Sequence, residues 1–483
     1  MLLINQLWGI KFMRRLALLC SAALLLGGAA AKADLPPAPQ PPDQIKTLAR
    51  DILQTMIETN TVHANGTMKL AESMAARFHN AGFAPEDVAL LAPAEHPTQG
   101  NVVVRIRGKG KGRPLLDIVH LDVVEAKPED WTVDPFKLTE KDGWFYGRGT
   151  LDIKGDAAAL ATTLIRLKGE AFVPDRDIIV AFTSDEEGGD ANGVDFLLRE
   201  HRDLIDAELV LNPDAGGGIS KDDKRLYIGL QTSEKTYVTF RAEVTNKGGH
   251  SSLPEPDNAI YRLAAGLTRL SKLSFPVHTT ATTKAWFGEM AKLESGQLRQ
   301  DMEAMTRTPL DPAAVKRLEG LVFYNAMLHT TCVATMLDGG HADNALPQRA
   351  GVSIQCRMMP DDTSEKTQAL IVKALADPQI KVTVLRPAEP GPESPLSASV
   401  TGKMRGVVES MWPGLAMVPD MDAGASDSKY TRGAGIPSYG ITGIFTDIDD
   451  DRAHGRDERI RVNDFYGDVE FTYRELKAFS AVE

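Results

Sequence analysis

LLDIVHLDVV, residues 115–124, is an apolar run that stops at a histidine, and its reading decides the fold. Leu115 to Val119 has the length and branched content of a buried strand, which delivers His120 and Asp122 at its end. Alternate residues of a strand point the same way, so both side chains are expected on one side. Asp122 is then the carboxylate that orients the histidine, although two residues along a strand is a long reach unless the strand end bends. Two further stretches repeat the pattern. IIVAF, 178–182, runs into TSDEEGG, so Glu186 and Glu187 emerge from a second strand end; AELVLNPDAGGG, 207–218, is apolar up to Leu211 and then offers Asp214 among small residues. GRGTLDIKGDAAAL, 147–160, places Asp152 between a glycine-rich turn and an alanine-rich stretch of helical character, Ala157 to Leu167. AHGRDERI, 453–460, supplies His454 ahead of a helical stretch from Asn463 to Phe479.

Taken singly, an HxD triplet or an acidic pair is more often a solvated loop than a metal site. Their shared context changes the weighing. Several carboxylates at the ends of separate hydrophobic strands are costly to hold together without a cation. Ligands in open α/β sheets also collect outside the carboxyl ends of strands, where these residues fall. His120, Asp152, Glu187, Asp214 and His454 therefore suit two zinc ions, with Asp152 able to bridge them. The neighbouring pair Glu186 and Glu187 suits a division of labour in which one carboxylate binds metal and the other accepts a proton from water.

HLDVVEAKPEDWTVDPF, DGWFYGRGTLDIKGDAAAL, TSDEEGG, NKGGHSSLPEPDNAI and HGRDERI, in that order, resemble the dinuclear zinc peptidase family of glutamate carboxypeptidase, succinyl-diaminopimelate desuccinylase, aminoacylase and carboxypeptidase S. The resemblance spans nearly the whole chain after its N-terminal segment. It implies that His120 and Asp214 hold one ion, Glu187 and His454 the other, Asp152 both, and that Glu186 is the general acid and base. It also implies two zinc ions per chain, replaceable by cobalt or manganese. The substrate it implies is a peptide or N-acyl amino acid cleaved next to a C-terminal carboxylate. Two alternatives stay open: an aminopeptidase on the same catalytic fold, and a zinc-binding protein without catalysis.

The 483 residues, 43% hydrophobic and 25% charged, suffice for two cores. Residues 1–33 read as a secretory signal: Arg14 and Arg15 precede the apolar run Leu16 to Leu26, and Ala31-Lys32-Ala33 is an A-x-A cleavage site, with Met13 an alternative start. The apolar run is shorter than the ~20 residues of a membrane span, so no stable anchor is expected after cleavage. Cys20 follows Leu19, which is not the small residue that lipoprotein processing wants. Removing that segment leaves 50 basic against 66 acidic residues, which argues against nucleic acid as a partner. The expected location is the periplasm. PPAPQPPDQ, 36–44, reads as an extended leader before a helix near Ile45.

No metal-type residue of the set lies between Asp214 and His454, and that interval has a pattern of its own. KTYVTFRAEVTN alternates as a strand, Asn258 to Leu273 is helical, CVATML and GVSIQCRM read as paired strands, Glu365 to Ala376 is helical, and KVTVLRP closes the set. This is the βαββαβ order. The expected fold class is therefore an α/β zinc-dependent exopeptidase domain, a mixed sheet flanked by helices, with an inserted ferredoxin-like α+β lid. The expected boundaries are 34–232 and 387–483 for the catalytic domain and 233–386 for the lid. Residues 275–329 are a long helical segment similar to the enlarged lid of the carboxypeptidase S type.

In the lid, the resemblance implies that His250 stabilises the oxyanion and that Asn344 and Arg357 bind substrate; Gly424 and Ser426, in AGASDSKYTRGAG, are implied near the site. A homodimer through the lid is a further implication. Cys332 and Cys356 flank a candidate hairpin turn, HADNALPQRAG, and export leaves a disulfide open. The simpler expectation is two buried free thiols.

Overall fold

The computed structural model describes residues 37–482; the expected signal segment 1–33 lies outside them. Among these residues no helix is long and apolar enough to cross a membrane. The described residues divide into two compact units: 37–232, 393–420 and 426–482 form the first, and 233–392 with 421–425 the second. The second unit thus runs six residues past the boundary expected at 386 and takes in Gly424, while Ser426 stays with the first.

The first unit is built on a ten-stranded sheet. Its central strands, Ile178–Thr183, Leu115–His120, Leu209–Asn212 and Ser438–Gly440, are mutually parallel. Every residue of the first three is buried, which is why they read as unbroken apolar runs. Alternate side chains feed two cores. Leu115, Val119, Val180 and Phe182 pack with Ile52, Leu160 and Leu164 from helices Asp43–Glu58 and Lys154–Gly169, and with Phe465 and Val469 from Val462–Ser480. Leu116, Ile118, Ile179 and Ala181 pack on the other face against Val194 and Leu197 of helix Gly193–Glu200. Each such side chain contributes about 1.5–3 kcal/mol on burial. Helix Lys154–Gly169 is buried along most of its length, and its alanines let it lie close beneath the sheet.

Register carries the site. His120 is paired with Thr183, so both strands end at one level. A small antiparallel sheet joins Arg459–Arg461 to Trp144–Tyr146, with Ile460 opposite Phe145, and brings the HGRDER segment beside GRGTLD. Residues 37–42 are not a free leader: Ala38 is buried in the core, and Gln40 donates to the Asn463 carbonyl.

The second unit has a four-stranded antiparallel sheet in the order Thr331–Gly339, Arg349–Met358, Thr236–Thr245, Lys381–Arg386. Helices Ala259–Leu270 and Ser364–Leu375 bury Leu263 and Ile371 against Val238, Phe240, Val352 and Ile354, completing the ferredoxin-like arrangement. Residues 281–328 form four short helices with a cluster of Trp286, Phe287, Phe323 and Tyr324. The expectation of two free thiols is corrected. Cys332 and Cys356 are directly opposite across neighbouring strands, Cα atoms 4.1 Å apart, and are joined by a disulfide.

Candidate metal centre

His120 ends its strand and is almost completely buried. Leu121 N still donates to the Thr183 carbonyl, and His120 Nδ1 lies 3.0 Å from the Asp122 backbone carbonyl, with the carboxylate at 3.7 Å. Donation to that carbonyl fixes the proton on Nδ1 and leaves the Nε2 lone pair for a cation. The Asp122 carboxylate itself accepts the backbone amides of Glu186 (3.2 Å) and Glu187 (3.0 Å), pinning the acidic pair beside the histidine.

Asp152 faces two histidines with its two oxygens: Oδ1 is 3.3 Å from His120 Nε2 and Oδ2 is 3.0 Å from His454 Nε2. Glu187 Oε1 lies 2.9 Å from His454 Nε2, and Asp214 Oδ1 3.7 Å from His120 Nε2. One oxygen of Glu186 is within 4.8 Å of donors from His120 and Asp214. The structure thus brings His120, Asp152, Glu186, Glu187, Asp214 and His454 into one cluster. His454 holds φ at 59°, in the left-handed region that costs a non-glycine residue about 1 kcal/mol or more.

The electrostatics describe a cluster short of positive charge. Burial drives Glu187 and Asp214 each up to about 7. For Glu186, burial, then the charge of Asp214, raises the carboxyl well above its ordinary value. Burial works to lower His454, but the Asp152 and Glu187 carboxylates outweigh it and lift the ring to about 11; His120 is raised for the same reason by Asp152 and Asp214. Asp152 moves the other way, its burial overcome by the two imidazoles.

These residues fit a bound metal. His120 Nε2 is buried and makes no hydrogen bond despite the carboxylates around it. Donors about 3.3 Å apart are what tetrahedral zinc with N/O ligands at ~2.0 Å requires, and the set is imidazole and carboxylate only.

Three supports were not read from the sequence. Glu458, fully buried, accepts the backbone amides of Leu151 (2.8 Å) and Asp152 (3.1 Å) and pairs with Arg148, which also donates to the Gly455 carbonyl at 3.0 Å. Asp185 accepts from His63 Nδ1 at 2.6 Å and from the Ala191 amide at 2.8 Å. It crowds Gly189 so closely that a Cβ there would sit 1.8 Å from its carboxylate. Asn212 accepts from the Asp214 amide at 3.1 Å and donates to Ser426 and Ser428. The signal available for Glu458 was its place in HGRDE, four residues after His454.

Of the other expected residues, His250 and Asn344 meet within the second unit. The Gly249–His250 bridge pairs with Ala345–Leu346, and Ser251 N donates to the Asn344 carbonyl at 3.1 Å. The Ser252 amide donates to His250 Nδ1 at 3.2 Å, which leaves the ring proton on Nε2. Arg357 lies on strand Arg349–Met358 over the ring of Tyr237, and Gly424 N donates to Asp422.

Fold and site together define a metal-dependent hydrolase of the peptidase kind, and residues 118–477 match the model of peptidase family M20/M25/M40. The chain belongs to that family. It is 28% identical over 378 residues to the human N-fatty-acyl-amino acid synthase/hydrolase PM20D1, covering 76% of this chain and 74% of the human one. It is 26% identical over 378 residues to the probable carboxypeptidase S-like 2 of Dictyostelium discoideum, covering 76% and 71%. Among solved structures it is similar to the M20 family metallo-carboxypeptidase Sso-CP2 from Sulfolobus solfataricus, with TM-score 0.64, 16% identity and coverage of 89% and 99%.

Proposed function

We propose that this protein is a dinuclear zinc amidohydrolase that cleaves the amide bond next to a C-terminal carboxylate, in a peptide or an N-acyl amino acid. One observation carries the reading: the two oxygens of Asp152 face His120 and His454 separately, so one carboxylate joins two donor sets. His120, Asp214 and Asp152 would hold one ion, and Glu187, His454 and Asp152 the other. When bound, the ions supply Lewis acidity that polarises the scissile carbonyl and makes water acidic near neutral pH. Glu186 takes a proton from the attacking water and delivers it to the leaving nitrogen as the C–N bond breaks. Asp122 keeps Glu186 and Glu187 in place through their amides. On the family resemblance, His250 Nε2 stabilises the oxyanion, and Asn344 and Arg357 hold the terminal carboxylate.

The names of the two curated relatives support the N-acyl amino acid and carboxypeptidase readings equally. Metal analysis and hydrolysis of C-terminally free dipeptides and N-acyl amino acids, with and without zinc, test it. Zinc-dependent cleavage with two metals per chain is expected; cleavage of N-free, C-blocked peptides instead would replace it with an aminopeptidase.

Export to the periplasm is part of the same proposal, supported by the leader-like residues 1–33 and by a disulfide suited to an oxidising compartment. Fractionation of the native host tests it, and recovery in the cytoplasm would refute it. A homodimer through the second unit is proposed on the exposed Val333, Met336 and Leu337 of its edge strand. A monomeric mass in sedimentation would exclude that.

A further inference from the structure

The loop between helices Asp43–Glu58 and Met68–Asn80 is tied to the segments of the metal cluster at three points. Lys154 Nζ, two residues after Asp152, donates to the Thr59 carbonyl at 2.9 Å. Thr61 Oγ1 donates to the Leu121 carbonyl at 2.7 Å, and the Val123 amide donates to the Thr61 carbonyl at 3.2 Å, on either side of Asp122. His63 Nδ1 donates to Asp185, the residue before Glu186, at 2.6 Å. Lys154 and Thr61 are fully buried, whereas the His63 side chain is 59% exposed.

Asp185 needs that last tie. Its φ of 62° lies in the left-handed region, which a non-glycine residue holds only where its surroundings fix it. Here the fixing is done through its buried carboxylate: Oδ1 accepts from His63, and Oδ2 accepts the Ala191 amide at 2.8 Å. The Ala191 bond lies within the same loop and moves with it. His63 comes from a segment more than a hundred positions away, so it anchors the turn to the rest of the unit. The two glutamates that follow differ in what else would fix them. A bound metal would hold the Glu187 carboxylate directly. Glu186 belongs to neither proposed donor set, so the direction of its carboxyl follows from the backbone that carries it.

We infer that His63 is a positioning residue for Glu186: through Asp185 it holds the left-handed turn that aims the proton carrier. The rate of the chemical step therefore depends on His63, while metal content and substrate binding do not. This rests on the reading in which Glu186 moves the proton.

The test uses the full chain loaded with zinc, with L-alanyl-L-alanine and N-acetyl-L-alanine as probes. H63A is expected to lower kcat by about 10- to 100-fold, with KM within about threefold and zinc content as in the parent, because a small displacement of the proton carrier slows the chemical step alone. H63N, whose side-chain amide can donate from the place of Nδ1, should recover most of that rate. A kcat within about twofold of the parent in H63A, a loss of zinc that accounts for the loss of rate, or an H63N variant as slow as H63A overturns the inference. Failure of the underlying reading looks different: E186Q then keeps its turnover, or the parent cleaves neither probe. In either case amide hydrogen exchange of residues 184–191 decides for the turn itself. Exchange about tenfold faster in H63A and near the parent's in H63N supports the tie, and equal exchange in all three refutes it.

Discussion

The carboxylate of Glu458 accepts the backbone amide of Asp152 at 3.1 Å, so the residue four places after His454 fixes the loop of the acid that His454 shares. Both His454 and the carboxylate that it faces are thereby set by one short segment. Replacing Glu458 with Ala leaves Arg148 buried without its counter-charge, at a cost of about 3–5 kcal/mol. The expected outcome is a lower melting temperature together with loss of bound metal, measured by thermal unfolding and metal analysis. Normal metal content in a destabilised variant would confine Glu458 to folding.

Glu186→Gln should retain both metals and lose turnover by ~10²–10⁴-fold or more, since it removes the proton carrier and no donor of the two proposed sets. Single-turnover kinetics beside metal content checks this. Near-normal turnover would transfer the proton role to another group.

Asp122→Ala removes the acceptor for the Glu186 and Glu187 amides without touching the cluster's donor atoms. Metal affinity is expected to fall about 10–100-fold, as for other groups that orient ligands from behind. Competition with a chelator measures it.

Four acids, Asp117, Asp156, Asp468 and Glu475, are buried on one side of the central sheet, and burial raises all of them, Asp468 to about 7. The unfolded value is near 3.9, so between about pH 4 and 7 the folded chain binds the extra proton and stability falls as pH rises. Above the folded value the loss is complete; below the unfolded value there is none. Asp468→Asn keeps an acceptor for Gly443 N and removes that penalty. Its melting temperature relative to the parent should therefore climb from pH 4 to pH 8, and a difference flat with pH would show that Asp468 titrates normally.

The Cys332–Cys356 bridge, spanning 24 residues, should stabilise the second unit by about 3 kcal/mol in the chain-entropy view. If residues 1–33, with Cys20, are removed as proposed, thiol titration in denaturant is expected to find no free sulfhydryl. Two free thiols per chain would restore the reading taken from sequence.

The strands were legible because IIVAF and LVL are unbroken apolar runs that end sharply, and a sheet covered on both faces needs nothing else. The second unit was legible because TYVTFRAEVT alternates, one face packed and the other open. What failed to show depended on what lies across from each segment. The cysteines are 24 residues apart, and only the register of two strands makes them opposite. His63 and Asp185, or Glu458 and Arg148, are ordinary residues in sequence, since each pair is created by a contact between segments more than a hundred positions apart.

The small sheet that pairs Ile460 with Phe145 also sets an order of events. No donor set that needs both Asp152 and His454 can form until those two distant segments have paired. The proposed second donor set therefore depends on tertiary pairing and not on either segment alone.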